Sequence, residues 1–231
     1  MSRRESLLPV YWPWTDGQRR LLSPQEFLRS RSFSLVYITS IILIPHFFGF
    51  SYWGAITPSK LFTAPHEYLL SFITVPFVHY GTEHITQVAI TFAVFCQSFE
   101  SRAGSKETAI LFFSTIAFTG LAMGLFINVG NWFSPDTELF THAMERSWMG
   151  GSIGFFGILG ALSHYSREKW LIPAILVTFE TWNRFENGMN EYITIGHLCS
   201  ALFGFVIWGL YLKRKATMGV VEKNKPTALE G

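Results

Sequence analysis

Charged side chains are scarce in this chain of 231 residues. Asp, Glu, Lys and Arg together supply only 15% of it, whereas an average soluble protein carries roughly 25%. Hydrophobic residues supply 49%, and 23 phenylalanines help to raise the aromatic share to 17%. This composition argues against a water-soluble globular domain and predicts an integral membrane protein.

Cysteine is also scarce, and the motifs of several ligand-binding classes are missing. The two cysteines, Cys96 and Cys199, lie inside apolar runs, where we expect small buried hydrophobic side chains and not a disulfide or a metal pair. The HExxH pattern of membrane metalloproteases is absent. The basic residues gather at the ends of apolar segments and do not form a nucleic-acid footprint. We therefore expect no cofactor, no metal and no nucleic-acid partner.

Charge-poor segments predict six membrane-spanning helices, because about 20 apolar residues are needed to cross about 30 Å of bilayer. The N-terminal residues lack the apolar core and cleavage site of a signal peptide, so we expect the first span to be retained. The second span is predicted to extend backwards to Val75, with Glu83 near its outer end. The fifth either continues through Glu180 to Trp182 or lies short and tilted. The predicted spans lie within residues 32–59, 75–99, 108–135, 147–166, 170–182 and 192–212.

The distribution of Lys and Arg predicts the orientation of these spans. Fifteen of the 18 basic residues lie on the side that carries both termini, and only Lys60, Arg146 and Arg184 lie on the other side. Because positive residues favour the cytoplasm, both termini are predicted to be cytoplasmic, and we expect a multi-pass protein of a prokaryotic cell membrane. Residues 1–32 would form a cytoplasmic tail, in which a capping box at Ser23 opens a short helix. Residues 33–213 would form the six-span domain, and residues 214–231 a second cytoplasmic tail.

The fourth and sixth predicted spans each carry one residue suited to catalysis. With this topology Ser152 and His197 lie at similar depths, roughly 10 Å below the non-cytoplasmic surface at 1.5 Å per helical residue. A serine hydroxyl becomes a strong nucleophile when a base within hydrogen-bond reach removes its proton, and an imidazole is such a base. The alternative is structural, because membrane helices also use Ser for close packing and His for bonds between helices.

Small residues around these two positions favour close helix packing. Ser200, Ala201 and Gly204 lie on the His197 side of the sixth helix. Phe156, one turn after Ser152, is placed to pack against the imidazole. A second stripe of small residues on the fourth span points away from the serine and predicts that another helix packs there, so that this span is buried on all sides. That stripe comprises Gly150, Gly154, Gly157 and Ala161.

The second span offers further polar groups. His84, Gln87, Val88 and Thr91 share one helix face, and His84 enters at the outer end, where its ring could donate a hydrogen bond to an oxyanion. Alternatively, His79 and His84 are interfacial residues that bond loop carbonyls. As a metal pair they are weak, because residues five apart do not share a helix face.

Three sequence blocks together resemble the rhomboid family. In the first, a loop histidine is followed by a second histidine, a glutamate and a glycine, which are here His79, His84, Glu100 and Gly104. The other two are similar to the family's fourth span with its GxSG motif and to its sixth span, where a histidine precedes small residues. The three blocks read FVHYGTEHITQVAITFAVFCQSFESRAGS (residues 77–105), GGSIGFFGILGAL (residues 150–162) and GHLCSALFG (residues 196–204).

The resemblance implies an all-α, six-helix bundle that acts as an intramembrane serine protease. Ser152 would be the nucleophile and His197 the general base. His84 would be an oxyanion donor, assisted by the Ser152 N–H, with Gln87 and Gly150 as supporting residues. Phe156 would be the aromatic that stacks on the base. The reaction would be cofactor-free peptide hydrolysis in or near the transmembrane segments of substrate proteins, and residues 52–78 would be the family's first loop, partly within the membrane.

Two departures from the family pattern leave other functions open. The family's Asn four residues after the span-two histidine is Val88 here, which removes an amide donor that Gln87 replaces only imperfectly. Where the family pattern has a Gly directly after the serine, this chain has Ile153. A catalytically inactive member that binds membrane proteins is therefore the main alternative. A transporter is a weaker one, because we place no acidic residue well inside a span and find no paired broken helices.

Overall fold

The computed structural model describes residues 7–16, 20–49 and 54–223. Within them the fold is all-α as predicted, and the extended backbone forms only isolated bridges. Short non-α turns connect or interrupt the helices at Val75–Phe77, Phe92–Cys96 and Ser163–Tyr165. The helices are α1 (Pro24–Ser30), α2 (Ser32–Phe48), α3 (Lys60–Thr63), α4 (Pro65–Thr74), α5 (Thr82–Thr91), α6 (Gln97–Ala103), α7 (Ser105–Phe133), α8 (Glu138–Glu145), α9 (Ser152–Leu162), α10 (Leu171–Glu186) and α11 (Glu191–Lys223).

Two of the helices in the described residues are long and apolar enough to cross a membrane. They are α7, over Ser105–Phe133, and α11, over Glu191–Met218. A third span is counted if α1 and α2, which meet at 81°, are taken together. Every predicted span contains a helix, but six crossings and the cytoplasmic location of both termini stay predictions. Residues 1–6, 17–19 and 224–231 of the predicted tails, residues 50–53 of the predicted first span and residues 52–53 of the predicted first loop lie outside the described residues.

The first helix begins as the sequence predicts. The Ser23 hydroxyl accepts from the Glu26 N–H at 3.3 Å, and the Ser23 N–H donates to the Glu26 carboxylate at 2.9 Å, which completes the capping box. The bonds from Ser23, with the neighbouring Arg20, lower the pKa of Glu26. Two N–H donors at the start of α1 are thereby satisfied.

The predicted bounds of the second span are wrong at both ends. The helix does not extend back to Val75, because Val75–Phe77 forms a separate short turn and α5 begins at Thr82. It continues forward instead, through the π-helical turn and α6 to Ala103. Glu100, a charge that seemed to end the span, is buried inside the helix because its carboxylate accepts two backbone N–H groups at the start of α2.

The fourth span also starts later than predicted. Helix α9 begins at Ser152 and not near residue 147, because the backbone of Trp148 exchanges two hydrogen bonds with Ile56, at 2.7 and 3.0 Å. Gly150 lies in this non-helical approach with φ of +87°, so it is not part of the small stripe on α9. The remainder of the helix behaves as predicted, since every residue from Ile153 to Leu162 is buried.

Close approach of backbones places α9 between α7 and α11. A Cβ added to Gly154 would lie 2.3 Å from the Phe112 ring of α7, and one added to Gly204 of α11 would lie 1.9 Å from the Gly157 carbonyl oxygen of α9. Small residues on both sides of α9 thus permit the contacts that bring its N-terminus beside α11. Helix α11 runs on to Lys223 and so crosses the predicted boundary between the membrane domain and the C-terminal tail.

The helix in the fifth predicted span, α10, corrects the expectation that no acidic residue lies well inside a span. Helix α10 continues from Leu171 through Glu186, and Glu180 lies well inside it with no exposed surface. An acidic residue therefore does lie within the bundle, contrary to the sequence analysis. The two cysteines are free as predicted, with Cys96 buried and Cys199 partly buried.

Candidate active site

Ser152 and His197 meet at the N-terminus of α9. The Ser152 Oγ lies 3.1 Å from the His197 Nε2, which is within hydrogen-bond distance. His197 is 8% exposed, and its side chain reaches the serine from the first turns of α11. The structure therefore brings together the two residues that the sequence analysis placed at similar depths.

The imidazole of His197 is held on its face by Phe156. The two rings are stacked, with centroids 4.1 Å apart and planes 8° apart. Phe156 lies one helical turn beyond Ser152 on α9, so the same helix supplies the hydroxyl and the aromatic surface beneath the base. This predicted contact is present, and it restricts the ring to the plane in which Nε2 faces the serine.

A cavity of about 370 Å³ opens beside the pair. Its lining comes from α5, the approach to α9, and helices α9, α10 and α11, so it lies where these elements converge. Ser152 and His197 lie in its wall, and most of the remaining surface is apolar. The apolar residues include Val88, Met149, Ile153, Phe155, Phe179 and Ile193. An extended apolar peptide segment would find few polar groups to compete for its backbone here.

His84 and Gly150 lie against one another at the cavity. The positive φ of Gly150 would be strained for other residues, and a Cβ there would lie 2.6 Å from the His84 ring. His84 Nδ1 is buried without a hydrogen-bond partner among the described residues. Since Gly150 lies two residues before Ser152, its missing side chain lets the imidazole approach the start of α9.

The other predicted polar groups occupy different environments. His79 is buried, and its Nε2 bonds the Pro76 carbonyl at 3.1 Å, as the interfacial alternative expected, while its ring packs edge-on against His84. Gln87 is exposed and lines the cavity. Within the described residues no group of three or more His, Cys, Asp or Glu is arranged to hold a metal ion.

The N-terminus of α9 supplies backbone donors beside the serine. Its N-cap is Gly151, and no side chain caps the helix. The first N–H groups of an α-helix have no partner within the helix, and the helix dipole makes this end attractive to negative charge. The Ser152 N–H is the first of these groups, so a developing anion near the hydroxyl would find a donor and a favourable field.

The two departures from the family pattern are both part of the packed structure. Val88 is 6% exposed and lines the cavity, so the position of the missing amide faces the site but offers only an apolar surface. Ile153 is also 6% exposed and belongs to the same hydrophobic core. Its bulk is therefore accommodated beside Ser152 without separating the serine from His197.

The sequence analysis missed Glu180 as a residue of this site. The Glu180 Oε2 lies 3.1 Å from His197 Nδ1, on the opposite side of the ring from Ser152. A helical spacing would have indicated this position, because the buried residues of α10 are Ile172, Leu176, Glu180 and Asn183. One of the two predicted alternatives for the fifth span did continue through Glu180, but no role in the site was predicted for this residue.

Comparison with known families agrees with these features. A family model, the Rhomboid domain, matches residues 66–214, which is more than half of the chain. No curated protein and no solved structure matches the chain. The matched region contains the cavity, the Ser152 and His197 pair, all of α7 and most of α11. The chain is thus an integral membrane protein that belongs to the rhomboid family.

Proposed function

We propose that this protein is an intramembrane serine protease that hydrolyses peptide bonds in or near the transmembrane segments of other membrane proteins. The observation that carries the proposal is the 3.1 Å separation of Ser152 Oγ and His197 Nε2. Rhomboid-family membership supports it, because the family includes intramembrane proteases. The proposal retains six spans, both termini in the cytoplasm, and a membrane domain of residues 33–213 between two tails.

In the proposed reaction His197 is the general base. Its Nε2 takes the hydroxyl proton as Ser152 Oγ bonds to the substrate carbonyl carbon, and the carbonyl oxygen becomes an oxyanion. The protonated imidazole then gives that proton to the leaving amine, which breaks the peptide bond and leaves an acyl ester on the serine. The same nitrogen then takes a proton from a water molecule as the water oxygen bonds to the ester carbonyl carbon. The bond between that carbon and Ser152 Oγ breaks, the acid is released, and Nε2 returns the proton to the serine oxygen.

The oxyanion is stabilised in this proposal by groups at the start of α9. The Ser152 N–H and the ring of His84 are the donors, and Gln87 adds an amide at the cavity edge. Removing a single donor of this kind typically costs about 10²- to 10³-fold in kcat. All of these groups belong to the protein, so the proposed reaction uses neither metal nor cofactor.

The decisive experiment combines labelling and cleavage. Purified protein in liposomes should react with a fluorophosphonate at Ser152 and cleave a single-span substrate. Ser152→Ala and His197→Ala should each lower cleavage by about 10³-fold or more, because nucleophile and base act as a unit. Thermal unfolding of each variant supplies the control for folding. Full cleavage by both variants would exclude the proposed roles.

The second candidate function is binding of membrane-protein clients without cleavage. Val88 favours it, because an apolar side chain lines the cavity where the family has an amide donor. In that case the wild-type protein and Ser152→Ala should bind a single-span client equally well, with no product formed and no fluorophosphonate adduct at Ser152. An adduct specific to Ser152 would rule this function out.

A further inference from the structure

A glutamate is energetically unfavourable at position 180, because the side chain is buried inside the bundle. It occupies the buried face of that helix, one turn beyond Leu176, where an apolar side chain would complete the stripe. Its carboxylate has no exposed surface, and Oε1 has no hydrogen-bond partner among the described residues. Burying a carboxylate with incomplete hydrogen bonding opposes folding. A role in packing alone therefore gives a poor account of this residue.

The carboxylate, the imidazole and the hydroxyl form a continuous chain of polar contacts. Glu180 Oε2 is 3.1 Å from His197 Nδ1, and His197 Nε2 is 3.1 Å from Ser152 Oγ. A neutral imidazole carries one proton, and a carboxylate next to Nδ1 holds that proton on Nδ1. The lone pair of Nε2 then faces the serine, which is the arrangement a general base requires.

The contact between Glu180 and His197 also affects the stability of the protonated imidazole. When Nε2 takes the serine proton, the ring becomes a cation inside a mostly apolar cavity, which is unfavourable without an opposite charge nearby. Glu180 lies where such a charge is needed and accepts the Nδ1–H bond, while the transferred proton moves only between Ser152, His197 and the leaving amine. The residue therefore acts through the base and does not touch the substrate.

We propose that Glu180 is a positioning residue that fixes the tautomer of His197 and stabilises its protonated form, so that three helices contribute a Ser–His–Glu triad. This inference rests on the proposed proteolytic function and extends it. It differs from a purely structural role in one measurable respect. Glu180→Gln keeps the shape of the side chain and an acceptor for the His197 Nδ1–H, so it should change stability little, whereas loss of the charge lowers kcat in the same variant.

The experiment compares three substitutions of Glu180 in the full chain, reconstituted in liposomes with a single-span substrate. Glu180→Gln, which keeps the shape but not the charge, should lower kcat by about 10²- to 10⁴-fold with KM within about threefold of wild type. Glu180→Leu, which also leaves the His197 Nδ1–H without its acceptor, should lower kcat at least as much and lower the unfolding temperature as well. Glu180→Asp, which restores the charge on a shorter side chain, should recover part of the lost kcat.

The matched control is Leu176→Ala, one turn earlier on the same buried face. This substitution loosens α10 without removing a polar contact, so it should lower the unfolding temperature and leave kcat within about threefold of wild type. Wild-type kcat in Glu180→Gln would overturn the inference. A loss of kcat that only parallels lost stability, as judged against Leu176→Ala, would overturn it too. If Glu180→Leu fails to fold, the isosteric Gln variant decides.

The same assay separates this inference from the proposed function. Cleavage that requires Ser152 but is unchanged in Glu180→Gln would remove the role of Glu180 and leave the protease standing. Wild-type protein that neither cleaves nor reacts with a fluorophosphonate at Ser152 would overturn both. A large kcat loss in Glu180→Gln, with partial recovery in Glu180→Asp, would support both.

Discussion

Two buried glutamates, Glu100 and Glu180, differ in how fully their carboxylates are hydrogen-bonded. Glu100, in α6, is 1% exposed, yet both of its oxygens are bonded. Its Oε1 accepts from the Phe33 N–H at 2.7 Å and from the Ser105 hydroxyl at 2.6 Å, while its Oε2 accepts from the Ser34 N–H at 2.9 Å. This carboxylate satisfies the otherwise unpaired donors at the N-terminus of α2 and completes a joint between helices.

Glu180 has far less support at the cavity. It bonds only to His197 within the described residues, and its second oxygen lacks a partner there. Other polar atoms of cavity-lining residues are also buried and unpaired in that part of the structure, among them the Trp148 Nε1 and the Tyr192 hydroxyl. The difference indicates that the joint at α2 stabilises the fold, whereas the cavity retains unpaired polar atoms that the proposed reaction could use.

The largest expected effect is on stability and comes from Glu100→Leu. This change leaves two backbone N–H groups of α2 and the Ser105 hydroxyl buried without their acceptor, so the free energy of unfolding should fall by about 2–5 kcal/mol. Thermal or denaturant unfolding in detergent measures it. Glu180→Leu leaves only one donor, His197 Nδ1, without its acceptor and removes a carboxylate whose second oxygen has no partner among the described residues, so it should lower the free energy of unfolding by less than Glu100→Leu does. Equal destabilisation by both would remove the distinction between joint and cavity.

The next effect is on activity and comes from Gly150→Ala. A side chain at this positive φ is strained, and its Cβ would lie 2.6 Å from the His84 ring. The imidazole must therefore move away from the start of α9, and we expect kcat to fall by about 10²-fold, as for loss of one oxyanion donor. The cleavage assay gives kcat and KM separately. Gly188→Ala is the control, because Gly188 also has a positive φ but no neighbouring atoms around its missing Cβ. Equal kcat losses in both variants would assign the effect to backbone strain.

Sequence reasoning succeeded where helical spacing and the depth of a residue along its helix determined the contact. The contact between Phe156 and His197 followed from placing the aromatic one turn beyond Ser152, and the burial of α9 followed from its small residues. The approach of Ser152 to His197 required only that two helices enter at the same level, which the charge distribution indicated. These features depend on helical geometry and on the side chains of the segments concerned.

The errors share one physical cause. Glu100 was taken as a charge at the end of its span, and no acidic residue was expected well inside any span, yet Glu100 and Glu180 both lie buried inside helices. Hydropathy records the cost of burying a charge but not the partner that offsets it, and each partner comes from another helix. The late start of α9 had a similar origin, since the backbone pairing of Trp148 with Ile56 joins distant parts of the chain. Contacts of this kind are determined by tertiary structure.

The smallest expected effect tests whether the cavity depends on packing as well as on hydrogen bonds. Phe156→Leu removes the ring that stacks on His197 at 4.1 Å. An aromatic pair contributes about 0.5–1.5 kcal/mol beyond the burial of its area, so we expect kcat to fall by about 2- to 10-fold. Titration of cleavage rate against substrate concentration gives kcat and KM, and KM should change little because Phe156 contacts the base. Phe156→Tyr retains an aromatic ring and should preserve most of the activity. If Phe156→Leu instead raised KM at constant kcat, the ring would belong to the substrate surface of the cavity, and the orientation of His197 would depend on Glu180 and Ser152 alone.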